Sequence, residues 1–275
     1  MHFENGMWRC DEGEFSHTGK LGDLIYALAA IRWWSVRNRT PATLILVGDE
    51  DEQVNDSEQR THCEYWRDNF ASMRLLLLHQ NYLKTAIVCE QNVQCAMRGW
   101  NDWWNHGAIP KRHLHTVGCE DPAVLHEPWI AVENPKRVAS CIFNWTDRYP
   151  ENNNPRFPWA QLARRFAGDA VFVGSSEEYE RWCGKLEGVP LPPHYKVRDI
   201  LELSEVIAGT DLFVGRPSLP HAIAAALRKL RILEGCLHCD VHWGAPECIL
   251  LSRHRHLTEK RLDWYLQNRH TLQSI

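Results

Sequence analysis

The chain of 275 residues lacks any long apolar run: its longest aliphatic stretch is Leu75 to Leu78. That is far short of the roughly 20 residues that cross a bilayer, so no membrane span is predicted. Met1 to Glu14 is polar and acidic and has no apolar segment of the secretory kind. The ten cysteines are therefore read as reduced thiols of a cytoplasm, not as a disulfide framework. An excess of charge of one sign is also lacking. With 31 Lys and Arg against 35 Asp and Glu, a formal −4, the surface as a whole is not built to hold polyanions. Two local basic stretches, Lys111-Arg-His-Leu-His115 and Arg253-His-Arg-His256, are read as solvated surface with some histidines. Internal repeats and low-complexity tracts are absent.

A second Cys-x-x-Cys pair is missing too. Cys236-Leu-His-Cys239-Asp-Val-His242 has the two-residue gap that lets two thiolates meet one zinc, but nothing completes a structural site in the usual way. The plainer reading is cysteines following a strand, and no metal is expected. A Walker loop is likewise excluded: Gly13 stands one residue too far from Gly19, and Lys20 is followed by Leu instead of Ser or Thr.

What is present is alternation of strand and helix, which within one domain implies a mostly parallel sheet covered by helices. The pattern predicts strands at Val138 to Phe143, Ala170 to Val173, Leu212 to Val214 and Arg231 to Leu233. Helices fall between them at Trp159 to Phe166, Glu177 to Lys185, Ile200 to Ala208 and Ser218 to Lys229, with apolar residues recurring at three and four. The amino-terminal half opens with a helix from Leu24 to Val36 and a buried strand from Ala42 to Val47, bounded by Pro41 and Gly48. A helix from Tyr65 to Leu78 and a strand from Ala86 to Cys89 follow. The domain boundary is placed near Leu125 to Pro128, giving domains 1–126 and 127–275, the second ending in a helix from Thr258 to Gln267.

Four segments carry chemistry. Gly19-Lys20-Leu-Gly22-Asp23 is a glycine turn that delivers a carboxylate to a helix N-terminus; a helix-stabilising acid has the same appearance. Asp211-Leu-Phe-Val-Gly215-Arg216-Pro-Ser218-Leu-Pro-His221 runs from a buried strand through a turn into an alanine-rich helix. Unpaired N–H groups, the helix dipole, Arg216 and the Ser218 hydroxyl make that end attractive to a phosphate. Val171-Phe-Val-Gly174-Ser-Ser-Glu177-Glu178 repeats the strand, turn and helix at the same sheet edge, and its acids suit ribose hydroxyls or a base, or simply an acidic helix start. Finally, Cys141-Ile-Phe-Asn144-Trp-Thr-Asp-Arg148 enters a polar loop ending near Arg156, where two arginines are placed to clamp phosphates or to decorate a surface loop.

In this order the segments resemble the bacterial heptosyltransferases of lipopolysaccharide synthesis, glycosyltransferase family nine, especially short phage-like members. The resemblance rests on Gly22-Asp23-Leu-Ile-Tyr-Ala-Leu28, Val171 to Tyr179 and Asp211 to Leu227, and spans about two-thirds of the chain. It implies the α/β GT-B fold, two Rossmann-like domains facing each other across a cleft, in a cytoplasmic protein of a bacterium or phage-infected host. It further implies an enzyme that uses a nucleotide-diphosphate sugar and no cofactor. Asp23 matches the proposed catalytic base, and Lys20 and Gly22 in its turn are candidate donor-phosphate contacts. Ser218 with Gly215, Arg216 and His221 matches the loop holding the donor diphosphate, Gly174, Glu177 and Glu178 the nucleoside site, and Asn144, Arg148 and Arg156 a phosphate contact. At the last motif the chain departs from the family: an acidic residue, Ser or Thr, and Gly usually precede the histidine, where here Arg216-Pro-Ser-Leu-Pro-His221 stands.

The thirteen tryptophans leave the acceptor open, because aromatic faces stack on sugars and on exposed bases alike. Trp100, Trp103 and Trp104 are the candidate acceptor platform, for a saccharide or for a hydroxymethylated pyrimidine in DNA. Filling a core is the other use such rings find.

Overall fold

The structure, a computed structural model, describes residues 2–4, 7–9, 11–17, 20–47, 62–89, 93–94, 107–147, 154–235, 240–251 and 259–268. It divides into two compact units, Met1–Ala131 with Asp199–Leu201, and Val132–Arg198 with Glu202–Ile275.

In the first unit, β3 (Glu14–His17), β4 (Ala42–Val47) and β5 (Leu83–Cys89) form a parallel sheet in that order. A separate small sheet joins β1 (His2–Glu4), β2 (Met7–Arg9) and β6 (Val93–Gln94). Helix α1 (Leu21–Asn38) buries every residue from Leu24 to Ile31, which is why its sequence is almost unbroken Leu, Ile and Ala there. It ends where Arg39 turns left-handed at φ 54° and its N–H returns to the Ser35 and Val36 carbonyls. Helix α2 (His62–Leu78) covers β4 and β5, and α3 (Ile109–Thr116) packs on α1. The unit is closed by its last residues: the buried Trp129 indole donates to the Ile25 carbonyl at 2.8 Å, Tyr82 donates its hydroxyl to the Trp129 carbonyl at 2.7 Å, and Gln80 brackets the Ala131 backbone.

The second unit is a five-stranded parallel sheet ordered β11-β10-β9-β7-β8, built from β7 (Cys141–Phe143), β8 (Ala170–Phe172), β9 (Leu212–Gly215), β10 (Leu230–Glu234) and β11 (Cys248–Leu251). Helices α4 (Trp159–Arg165), α5 (Ser176–Cys183), α6 (Ile200–Ala208, from Glu202 onward), α7 (Leu219–Ala226) and α8 (Glu259–Gln267) complete it. Counted from β7, the spatial order is second, first, third, fourth, fifth. The chain thus winds one way from β7 to β8 and the other way from β9 onward, which makes the β7/β9 junction a topological switch point. Its core is aromatic: Trp182 lies 5.1, 5.4 and 5.9 Å, centroid to centroid, from Phe172, Phe143 and Trp159. On the α7 side the alanines from Ala222 to Ala226 are fully buried against the sheet.

The stretch Lys111-Arg-His-Leu-His115, expected as solvated surface, is instead the body of α3, with Arg112 and His113 buried. Arg112 is accommodated by donating from Nε to the Gly107 carbonyl at 2.7 Å. His113 is accommodated by staying neutral, since burial, His17 and Arg112 hold its pKa well below the ordinary 6.5.

Candidate functional site at the carboxyl edge

Open parallel sheets bind ligands outside the carboxyl ends of their strands, at the switch point. In the second unit that point is spanned by one side chain. Asn144, the residue after β7, is buried; its backbone N–H donates to the Val214 carbonyl of β9 at 2.9 Å. Its amide nitrogen donates to the Val173 carbonyl beyond β8 at 2.9 Å. Its oxygen accepts from the Ser218 hydroxyl at 2.7 Å. Asn144 therefore ties three strand ends together and presents Ser218, half-buried, at the junction.

Ser218 is the N-cap of α7, and its hydroxyl oxygen accepts from the His221 backbone N–H at 3.3 Å. The helix begins at Leu219, so Pro217 lies before the helix and Pro220 within its first turn. With Pro220 lacking an N–H and that of His221 engaged, Leu219 supplies the first-turn N–H outside these contacts. The His221 ring is buried, and its pKa is held well below 6.5 by burial, Arg231 and His242. Gly215 keeps the turn tight: a Cβ there would come within 2.7 Å of the Phe213 ring and 3.0 Å of the Asn144 carbonyl.

Arg216 stands apart from the expectation of a guanidinium offered to phosphate. It is 2% exposed, donates from Nε and Nη2 to Glu234 at 2.7 and 3.1 Å, and from Nη1 to the Thr146 carbonyl at 2.8 Å. A fork committed in this way shapes the turn and does not face a ligand. On the same edge Arg156 is exposed, its backbone N–H donating to the Asn154 side chain at 3.0 Å.

After β8, Gly174 has φ +153°, and a Cβ would meet Phe172 at 2.8 Å and Glu178 at 2.9 Å. His194, stacked on Tyr179 at 4.9 Å, makes a 2.9 Å hydrogen bond with the Gly174 carbonyl. The two acids of this helix start separate in role. Glu178 closes a capping box with Ser175, whereas Glu177 is exposed and pairs with Arg181, which also reaches Asp147.

In the first unit, β3 is followed in the chain by α1. Lys20 is the extended N-cap of α1 with no side-chain cap, and Gly22 and the half-buried Asp23 occupy its first turn. Buried at the end of β3, His17 lies 5.4 Å, ring to ring, from His113 of α3.

Arg148, Trp100, Trp103, Trp104, Cys236 and Cys239 lie outside the described residues. Among the described residues no group of three or more His, Cys, Asp and Glu is arranged to hold a metal, and no helix is long and apolar enough to cross a membrane. A cavity of about 210 Å³ lined by His242, Cys248, Arg261, Trp264 and Tyr265 lies where β11 begins, at the opposite edge of the sheet.

Glu234 was missed by sequence reasoning. Its signal is an acid ending the apolar strand Leu230-Arg-Ile-Leu-Glu234 just before Gly235, one strand over from the turn that carries Arg216.

No protein-family model matches the chain, and no curated protein matches its sequence. Solved structures match over nearly the whole length. A glycosyl transferase of family 9 from Veillonella parvula is 11% identical, with 96% of this chain and 97% of that chain covered and a TM-score of 0.59. The E. coli heptosyltransferase WaaC with ADP is 11% identical over 93% and 99% of the two chains, TM-score 0.60. The E. coli ADP-heptose lipopolysaccharide heptosyltransferase II is 12% identical over 97% and 98%, TM-score 0.55. The chain has their fold, the GT-B arrangement of two Rossmann-like α/β domains.

Proposed function

We propose that the chain is a glycosyltransferase that moves a sugar, with inversion, from a nucleotide-diphosphate sugar to a hydroxyl of a saccharide or other small acceptor. The observation that carries this is the switch point of the second unit, where Asn144 aims Ser218 at the start of α7. A polar turn at a helix N-terminus, at the ligand-binding edge of a parallel sheet, is suited to a diphosphate. The fold shared with proteins described as binding ADP or acting with ADP-heptose supports the same reading.

In this mechanism Asp23 takes the proton of the acceptor hydroxyl as its oxygen attacks the anomeric carbon. The bond from that carbon to the diphosphate breaks on the opposite face. The charge that grows on the departing diphosphate is met by the first turn of α7, by Arg156 and by Ser218, whose one hydroxyl proton would turn from Asn144 to the phosphate, and the nucleoside lies toward Gly174 and Glu177. Such an arrangement does not call for a bridging metal. Turnover is expected to survive EDTA, and a loss restored by a divalent cation would assign the diphosphate to a metal instead.

The test is a thermal-shift panel of nucleotide sugars and nucleoside diphosphates, followed by transfer assays with the best donor on oligosaccharides. Asp23→Asn is expected to keep donor affinity within about twofold while transfer falls by about 10²-fold or more, the scale of a lost general base. Unchanged turnover in that variant would remove Asp23 from the chemistry. No stabilisation by any nucleoside diphosphate would overturn the proposed function itself.

A further inference from the structure

Four donors from three residues, on two chain segments, converge on one carboxylate at the carboxyl edge of the second unit. Glu234, the last residue of β10, is 1% exposed. Its Oε1 accepts from the Asn154 backbone N–H at 2.7 Å and from Arg216 Nη2 at 3.1 Å. Its Oε2 accepts from Arg216 Nε at 2.7 Å and from the Trp159 indole N–H at 3.0 Å. A carboxylate offers about four lone-pair sites, so this one is full and has no capacity left for a ligand.

What Glu234 holds is the set of loops around the switch point. Through Arg216 it fixes the turn that ends in Ser218, and Arg216 in turn grips the Thr146 carbonyl two residues beyond Asn144. Through Asn154 it fixes the backbone from which Arg156 projects, because the Asn154 side chain receives the Arg156 N–H. Through Trp159 it fixes the start of α4. Buried ion pairs contribute little net stability compared with well-packed apolar side chains of the same volume. What apolar packing cannot reproduce is this directional hold on two connections at once, the one from β7 to α4 and the turn after β9.

We infer that Glu234 is a positioning residue for the donor site: it preorders the Ser218 turn and the Arg156 loop to receive a diphosphate, with Arg216 contributing shape and not charge to the ligand. This rests on the proposed function for the identity of the ligand, though not for the ordering of the loops. Preorganisation lowers the ordering cost of binding, so its loss is read in affinity more than in fold.

The experiment compares Glu234→Gln with Glu247→Gln, a buried carboxylate at the opposite edge, using whichever of ADP, UDP and GDP stabilises the unaltered protein most. Glu234→Gln is expected to fold, to weaken that nucleotide by at least tenfold, to shift the Trp159 indole resonance, and to speed amide exchange in residues 154–157 and 216–221. Glu247→Gln is expected to lower Tm at least as much while leaving nucleotide affinity within twofold. Equal affinity losses in the two variants, tracking Tm, would reduce Glu234 to a structural pair and overturn the inference. If the unaltered protein binds no nucleotide, the proposed function falls, and the exchange data still decide: unchanged exchange in both loops of Glu234→Gln overturns the inference independently of any ligand.

Discussion

Two buried carboxylates sit at opposite edges of the same parallel sheet, Glu234 where β10 ends and Glu247 just before β11 begins, and arginines reach both. At Glu234 one arginine, one indole and one backbone N–H fill both oxygens. At Glu247 two buried arginines, Arg228 and Arg231, crowd Oε1 at 3.0 Å each, while Oε2 accepts no hydrogen bond among the described residues. The rest of that cluster is packing around a positive surplus: Arg231 donates to the Ala224 carbonyl, rests against the Trp243 ring, and shares Tyr265 with the Glu247 backbone. Similar residues therefore do different work. A carboxylate saturated by directional donors fixes loop geometry, whereas one outnumbered by cations mainly keeps those cations tolerable inside the protein.

The comparison is broken most forcefully at Glu247. Glu247→Ala leaves two buried guanidinium groups facing each other, and removing one partner of a buried pair costs about 3–5 kcal/mol. Urea unfolding should show a loss of that size, with the nucleotide affinity of the surviving folded protein unchanged. A stability loss under about 1 kcal/mol would mean the arginines find other anions or water, and the contrast between the edges would collapse.

A smaller effect, graded by pH, links the edges. His221, at the start of α7, is kept neutral by burial first and then by Arg231 and His242, so acid would add a charge beside the existing surplus. His113 in the first unit is likewise held well below 6.5. Both groups have folded pKa values below their unfolded ones, so the unfolded chain takes up protons first as pH falls. Their contribution is complete above about pH 7.5 and is lost progressively below about 6.5, at up to roughly 1.4 kcal/mol per pH unit for each proton. Unfolding free energies measured from pH 8 to 5.5 should fall on the acid side, and His113→Leu should make that fall shallower by about one proton. A flat profile would require both imidazoles to titrate in the folded state as they do in the unfolded chain, and a rise on the acid side would require them to be held charged.

The fold was legible wherever punctuation and periodicity agreed. Pro41 and Gly48 bracket β4, and apolar spacing of three and four locates α6 from Ile200 to Ala208. Elements that bury polar residues were not legible. Strand β3 carries one apolar residue, Phe15, and buries Ser16 and His17 beside it; α3 hides Arg112 behind a backbone carbonyl. Among the tryptophans, Trp66, Trp129, Trp145, Trp159 and Trp182 are spent on cores. That Asn144, Gly174 and Ser218 share one sheet edge was legible, because each follows the end of a strand and strand ends are read locally. Whether Arg216 faced a ligand was not local. It depended on an acid 18 residues later that the parallel register places one strand away.

The smallest expected effect separates cap from ligand contact within the carboxyl edge itself. Ser175 and Ser218 are both N-caps, each accepting a backbone N–H three residues on. Ser175 does no more than close a capping box with Glu178, whereas Ser218 also gives its proton to Asn144 at the switch point. Losing either cap should cost about 1 kcal/mol, so Ser175→Ala and Ser218→Ala are expected to unfold at similar urea concentrations. Calorimetric titration should then tell them apart, with nucleoside diphosphate affinity kept within twofold in Ser175→Ala and weakened about tenfold in Ser218→Ala. Equal affinities would mean that the turn after β9 is only a helix start, and the diphosphate would have to be sought along the loop that carries Arg156.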